Sequence, residues 1–228
     1  MNIWQKLHAV HRFWRYRFST ERDSLTYLHA LDLRNTLALD IGANKGAYSF
    51  WLSKAVGRQG QVWAFEPQPE LAPYLNEIKR DFFLHNLRIF NCALSNDSGE
   101  LKLDRKYAGH GGAKASTAGD LSVKSMKLDE LLNEITLPIR FIKCDVEGHE
   151  LEVLQGASEL ISKYQPILQI EIHHKAMEDG TVLSFLKSLN YEGFFLLKGR
   201  RLPIDQFDQH QYPRKDTHRN YVFVPHCH

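Results

Sequence analysis

The chain is poor in cysteine: Cys92, Cys144 and Cys227 are the only three among 228 residues, odd in number and far apart. Such usage fits neither a disulfide framework nor a paired zinc signature and points to a reducing compartment. Long apolar runs are missing too. No stretch reaches the unbroken length of a membrane-spanning helix, and the polar, aromatic start lacks the apolar core of a signal peptide. A soluble, cytoplasmic protein is therefore expected. Net charge is scarce, at a formal +2, so the overall field gives no argument for a nucleic-acid partner. Basic residues do gather locally, as in Arg200, Arg201, Arg214, Lys215, His218 and Arg219, which read first as solvated surface and second as an attraction for an anionic substrate. Internal repeats and low-complexity tracts are absent, and no composition bias suggests disorder.

What is present is enough apolar sequence, 43%, to bury one sizeable core. Residues 36–228 read as one domain, preceded by a helical extension over 1–35. In that extension Ile3, Leu7, Val10 and Trp14 recur at helical spacing among Lys6, Arg12, Arg15 and Arg17. The stripe is expected to pack on the domain or on a second subunit in a homodimer, with an anionic membrane surface as the alternative. A second helix is expected around Leu25 to Leu33.

The most informative stretch runs from Leu37 to Phe50. An apolar strand meets Asp40, then Gly42, Asn44 and Gly46 turn the chain into a helix. Helix Ala47–Val56, strand Gln61–Phe65, a helix from Glu70 to Phe83 and strand Leu87–Cys92 follow. Alternation of this kind implies right-handed crossovers, a parallel sheet and helices on both faces. Further strands are expected over Glu100–Leu103, Ser122–Met126, Ile139–Cys144, Ile167–Ile172, Gly193–Leu197 and Asn220–Val224. Helices are expected over Leu128–Ile135, from Asp145 through Lys163, and over Thr181–Leu189. The segment from Lys106 to Gly119 is a long irregular loop, which makes Tyr107, His110 and Ser116 substrate-side candidates.

Four acids, Asp40, Glu66, Asp145 and Glu171, fall at the carboxyl ends of strands, the edge where open α/β sheets bind ligands. A dinucleotide site would need three glycines spaced as Gly-x-Gly-x-x-Gly, which Gly42, Asn44 and Gly46 do not supply. S-adenosylmethionine suits the pattern better: its cationic end favours acids, its carboxylate favours helix-start amides near Gly46, and its ribose diol favours Glu66.

Asp40-Ile-Gly-Ala-Asn-Lys-Gly-Ala-Tyr-Ser49, Ala64-Phe-Glu-Pro67, Cys92-Ala-Leu-Ser95, Lys127-Leu-Asp-Glu-Leu131 and Ile142-Lys-Cys-Asp-Val-Glu-Gly-His-Glu-Leu151 together resemble the FkbM family of S-adenosylmethionine-dependent methyltransferases. The resemblance spans roughly Thr36 to Leu197. It implies a Rossmann-like class I methyltransferase fold, a mostly parallel seven-stranded sheet with one antiparallel strand. It also implies O-methylation of a hydroxyl on a sugar, glycoconjugate or other natural product. On residue roles it agrees with the reading above: Asp40, Gly42, Asn44 and Gly46 at the methionine end, Glu66 on the ribose, Ala93 and Leu94 at the adenine, and Asp145 near the sulfonium or the acceptor. His149 sits where the family varies, so no family role passes to it.

A hydroxyl acceptor needs a base, and Glu147, His149, Glu171 and His173 are the candidates, with the first two placed slightly ahead. Asp145 is also a candidate cap for the helix that follows it. Asp145, Glu147, His149 and His173 carry the mixed chemistry of a divalent-cation site, but their spacing matches no established motif and no metal is assigned. The tail His226-Cys227-His228 reads as frayed. Two other functions stay open: a dinucleotide-dependent oxidoreductase, and a non-catalytic cofactor-binding scaffold.

Overall fold

A computed structural model describes residues 1–206 and 218–226. Arg214, Lys215, Cys227 and His228, singled out above, lie outside the described residues. In chain order the helices are α1 (Ile3–Arg15), α2 (Arg22–Ala30), α3 (Ala47–Val56), α4 (Leu71–Asp81), α5 (Glu150–Gln155), α6 (Ser158–Tyr164), α7 (His174–Asp179) and α8 (Thr181–Ser188). The strands are β1 (Leu37–Ile41), β2 (Gln61–Phe65), β3 (Leu87–Phe90), β4 (Ala93–Leu94), β5 (Gly99–Asp104), β6 (Lys114–Ala115), β7 (Leu121–Met126), β8 (Ile139–Cys144), β9 (Ile167–His173), β10 (Tyr191–Leu197), β11 (Arg200–Pro203) and β12 (His218–Pro225).

The main sheet has the order β11-β10-β12-β9-β8-β1-β2-β3. Strands β3, β2, β1, β8 and β9 run parallel, and β12 is antiparallel to both β9 and β10. The expected seven strands are thus present, and the eighth is the short β11, which folds back antiparallel on β10. Sequence reading missed it because Arg200-Arg201 does not look like strand sequence. A second, four-stranded sheet, β4-β7-β5-β6, stands apart from the first. It forms because the expected strand Leu87–Cys92 breaks at Asn91 and Cys92, so that Ala93 and Leu94 pair with β7 instead.

Alternation along the central strands serves two cores. Leu37, Leu39, Ile41, Trp63 and Phe65 enter one, with α5, α6 and α8, while Ala38, Val62 and Ala64 enter the other, with α1 to α4. The helix expected from Asp145 to Lys163 is interrupted twice. A turn occupies 145–149, and the chain breaks again at Gly156, where an added Cβ would stand 2.0 Å from the Ser95 carbonyl oxygen. Asp129 then caps α6 by accepting from the amides of Glu159 and Leu160 at 3.1 and 2.9 Å. Leu128–Glu134 is a 3₁₀ rather than an α-helix.

The extension departs from expectation. Ile3, Leu7, Val10 and Trp14 do not pack their stripe inward; all four are exposed, and Ala9 and Phe13 are what α1 buries. Phe13 stacks on Phe50 with centroids 4.3 Å apart, and its carbonyl accepts from the Trp51 indole at 3.0 Å. Beyond α1 the backbone widens into one π-helical turn, Tyr16–Thr20, which carries the chain across the open edge of the sheet.

Candidate functional site

At the carboxyl ends of β1, β2, β8 and β9 lies a cavity of about 280 Å³, joined by a smaller one of about 180 Å³ that shares Tyr16, Gly42, Asn44, Tyr48, Gly111 and Asp145 with it. Of the residues singled out by sequence, Gly42, Asn44, Glu66, Ala93, Leu94, Asp145, Glu147, His149 and Glu171 line the larger cavity. Asp40 lines only the smaller one, and Gly46 and His173 line neither.

Local folding explains the glycine turn. Gly42 has φ +81°, and a Cβ there would come within 1.8 Å of the Asp145 carbonyl oxygen, so the ends of β1 and β8 touch only because no side chain intervenes. Asn44 follows in the left-handed region and presents its amide to Glu66. Glu66 accepts from the Asn44 amide at 2.7 Å and from the Gln68 amide at 2.9 Å. Burial pushes its pKa up and these amide bonds draw it back down. Asp40, almost fully buried, accepts from the Ser49 hydroxyl at 2.5 Å and from the Ser49 amide. Burial raises its pKa to about 6. It therefore occupies the start of α3, the place expected to meet a ligand carboxylate, and the cationic groups at the smaller cavity are Arg12, Arg15, Lys45 and Lys143, beside the acids Asp40 and Asp145.

The opposite wall is a polar network that reaches across the whole chain. Lys143, buried in mid-strand, holds its Nζ 3.4 Å from Asp145 Oδ2 and 3.5 Å from Glu171 Oε2, 5.2 Å from the centre of the Tyr48 ring. The Glu21 carboxylate accepts from Tyr48 OH at 2.8 Å and from Asn220 Nδ2 at 2.6 Å, and Gln169 Nε2 donates to Tyr48 OH at 2.7 Å. Burial, opposed by Lys143 and reinforced by a hydrogen bond with Glu171, lifts Asp145 to about 8. Glu21 is raised by burial as well, against the pull of Lys143. Three carboxyls thus share one ammonium, and this end of the cavity favours positive charge.

Sequence reasoning missed Tyr16, Thr20 and Glu21, which the π turn brings to the cavity wall, and gave no role to Lys143. The signal for Lys143 was available, since a lysine inside the apolar run Ile139–Cys144 needs partners. The other candidate bases pair separately. His149 Nε2 is 2.9 Å from Ser95 Oγ, with Nδ1 3.5 Å from Glu152, and burial lowers its pKa. His173 Nε2 sits 3.1 Å from Glu147 Oε2. Glu147 and His173 thus pair with each other while Asp145 and His149 turn to other partners, and among the described residues no group of three or more His, Cys, Asp or Glu has metal-holding geometry.

The segment expected as a substrate loop closes the cavity on the side of Gln68. Gly111, Ala113 and Ala115 line the cavity, whereas Tyr107, His110 and Ser116 do not. Glu70 holds the loop by pairing with Arg105 and accepting from the Gly109 amide at 2.6 Å, and Gln68 Nε2 donates to the His110 carbonyl at 3.1 Å. Gln68 lines the cavity with its buried Oε1 lacking a hydrogen-bond partner among the described residues. An orphaned acceptor beside Glu66 fits a ligand rich in hydroxyl and amino donors, as the ribose and adenine of S-adenosylmethionine are.

Residues 40–192 match the family model described as the methyltransferase FkbM domain. The chain belongs to the FkbM methyltransferase family. It is 28% identical over 204 residues to the hexuronic acid methyltransferase AglP of Haloferax volcanii, a match covering 85% of this chain and 82% of that protein. Among solved structures it resembles the FkbM methyltransferase of Methylobacillus flagellatus KT, with TM-score 0.58 and 19% identity. That alignment takes in 85% of this chain and 45% of the other, so the chain spans less than half of that protein. The S-adenosylmethionine-bound fibrillarin of Aeropyrum pernix shares the fold, with TM-score 0.50, 13% identity, and coverage of 88% of this chain and 73% of that one. This FkbM protein is an S-adenosylmethionine-dependent methyltransferase with the α/β sheet of that class.

Proposed function

We propose that the protein methylates a hydroxyl group of a carbohydrate, with Asp145 and Glu171 as the carboxyl pair that receives the hydroxyl proton. The observation that carries this reading is the pair itself: Asp145 opens on the cavity, hydrogen-bonds Glu171 and is raised to about 8. A carboxylate of near-neutral proton affinity is a far better base for a hydroxyl than an ordinary aspartate. A carboxylate acceptor would already be ionised and would need no base at all. The kinship with AglP, whose name states a hexuronic acid as its methylated substrate, supports a sugar as acceptor.

In this reading Glu66 and the Gln68 carboxamide take the ribose, Ala93 and Leu94 flank the adenine, and Gly42 and Asn44 border the methionine end. Asp40 caps α3, so the methionine carboxylate falls to Arg15 and Lys45 at the smaller cavity. The cofactor supplies a methyl group on a positively charged sulfur, already activated for displacement. What remains for the protein is alignment and proton removal. Lys143 keeps the Asp145–Glu171 pair in place and Tyr16, raised by burial and by the neighbouring acids, stays protonated and able to donate to the acceptor.

Methyl transfer to glucuronides, followed with a radiolabelled donor, tests the proposal. Activity should rise with pH as Asp145 loses its proton near pH 8. The product should be an alkali-stable ether, and Glu171→Gln should cut turnover about a hundredfold while binding of the demethylated cofactor persists. An alkali-labile ester, or a Glu171→Gln enzyme of full activity, would overturn it.

A further inference from the structure

We propose that the outward face of α1 lies on the surface of an anionic lipid bilayer. Around the helix Val10, Ile3, Trp14, Leu7 and Trp4 succeed one another on the side opposite Ala9 and Phe13, the two residues that dock α1 on the domain. Ile3 is 66% exposed, Trp4 70%, Leu7 53% and Trp14 49%, and Phe18, 64% exposed, continues the face by stacking on Trp14 with centroids 5.3 Å apart. Single exposed apolar residues are unremarkable, but a contiguous band holding two indoles and a phenyl ring is not.

Charge decides the occupant. Between Met1 and Thr20 there is no acidic residue, while Lys6, 3.6 Å from Asp81 of α4, borders the band on one side and the exposed Arg15 on the other, with Arg17 in the π turn that follows. A second copy docking its own band here in two-fold fashion would set these cations against themselves. A surface of anionic headgroups complements them, and it lets tryptophans settle at the boundary where ring and N–H are both satisfied. No helix among the described residues is long and apolar enough to cross a membrane, so the contact is lateral. The band is also continuous with the site: the π turn that follows α1 supplies Tyr16 and Thr20 to the cavity wall, which places the mouth of the cavity beside the bilayer.

The full-length chain is mixed with phosphatidylcholine vesicles and with vesicles carrying about one-third phosphatidylglycerol, then sedimented. Binding is expected to the anionic vesicles alone, reversed by about 0.5 M salt, with tryptophan fluorescence quenched by brominated lipid. The double variant Trp4→Glu, Leu7→Glu, whose altered side chains are exposed, should bind vesicles at least about tenfold less while its affinity for the demethylated cofactor is unchanged. That second measurement separates the result from the proposed reaction and confirms folding. No sedimentation of the wild-type chain with anionic vesicles would overturn the proposal. So would equal binding by the variant, or a concentration-dependent dimer that the variant abolishes.

Discussion

The two ends of the cavity are built differently. One end is made from backbone: the Asn44 and Gln68 amides meet Glu66, and Gly42 lets the ends of β1 and β8 touch. The wall opposite is made from side chains that are strangers in sequence, Glu21, Tyr48, Lys143, Gln169, Glu171 and Asn220, held by one another. Backbone-built sites tolerate little change anywhere nearby. Side-chain networks can be re-specified one residue at a time.

The sharpest break in that contrast should come from Lys143→Met. Removing one partner from a buried ionic cluster leaves its acids uncompensated and should cost about 3–5 kcal/mol of unfolding free energy. Asp145 is raised in the fold, so the folded chain keeps a proton that the unfolded chain releases, and stability declines as pH climbs from the ordinary aspartate range towards 8. Without Lys143 the decline steepens, and the gap from wild type in urea unfolding should be larger at pH 8 than at pH 5. A pH-independent gap would show that the lysine is packing, not charge compensation.

Glu66→Ala probes the other end. Two buried amides would lose their acceptor, at about 1–3 kcal/mol each, so calorimetry should find the demethylated cofactor bound roughly a hundredfold more weakly. Smallest is Glu21→Gln, which keeps the shape and drops one charge. Turnover should fall about tenfold with cofactor affinity nearly intact, and a matching loss of affinity would mean that the two ends are one site.

This asymmetry also explains what the sequence disclosed. Gly42, Asn44 and Glu66 sit in local patterns whose spacing follows from a strand, a turn and a helix start, so their place at the cavity could be read directly, whereas Asp40 lines only the smaller cavity and Gly46 neither. Glu21 could not, because only a π turn and a contact with Asn220 bring it to the cavity, and neither leaves a periodic trace. For α1 the periodicity was correctly seen, but the stripe does not pack on the domain, one of the two packings expected. An apolar stripe says that one face differs from the other, but Phe13 against Phe50 docks the helix on the side with fewer large apolar residues. The second sheet was hidden by length, since Ala93-Leu94 and Lys114-Ala115 are too short to alternate visibly.

The Glu21–Asn220 hydrogen bond sets an order of events during synthesis. The glycine turn, Glu66 and Ala93 are all synthesised within the first half of the chain, long before Asn220. The network around Glu21 waits for β12 to slide between β9 and β10. Until then Glu21 and Gln169 lack Asn220, so the side-chain network is the part of the cavity wall completed late.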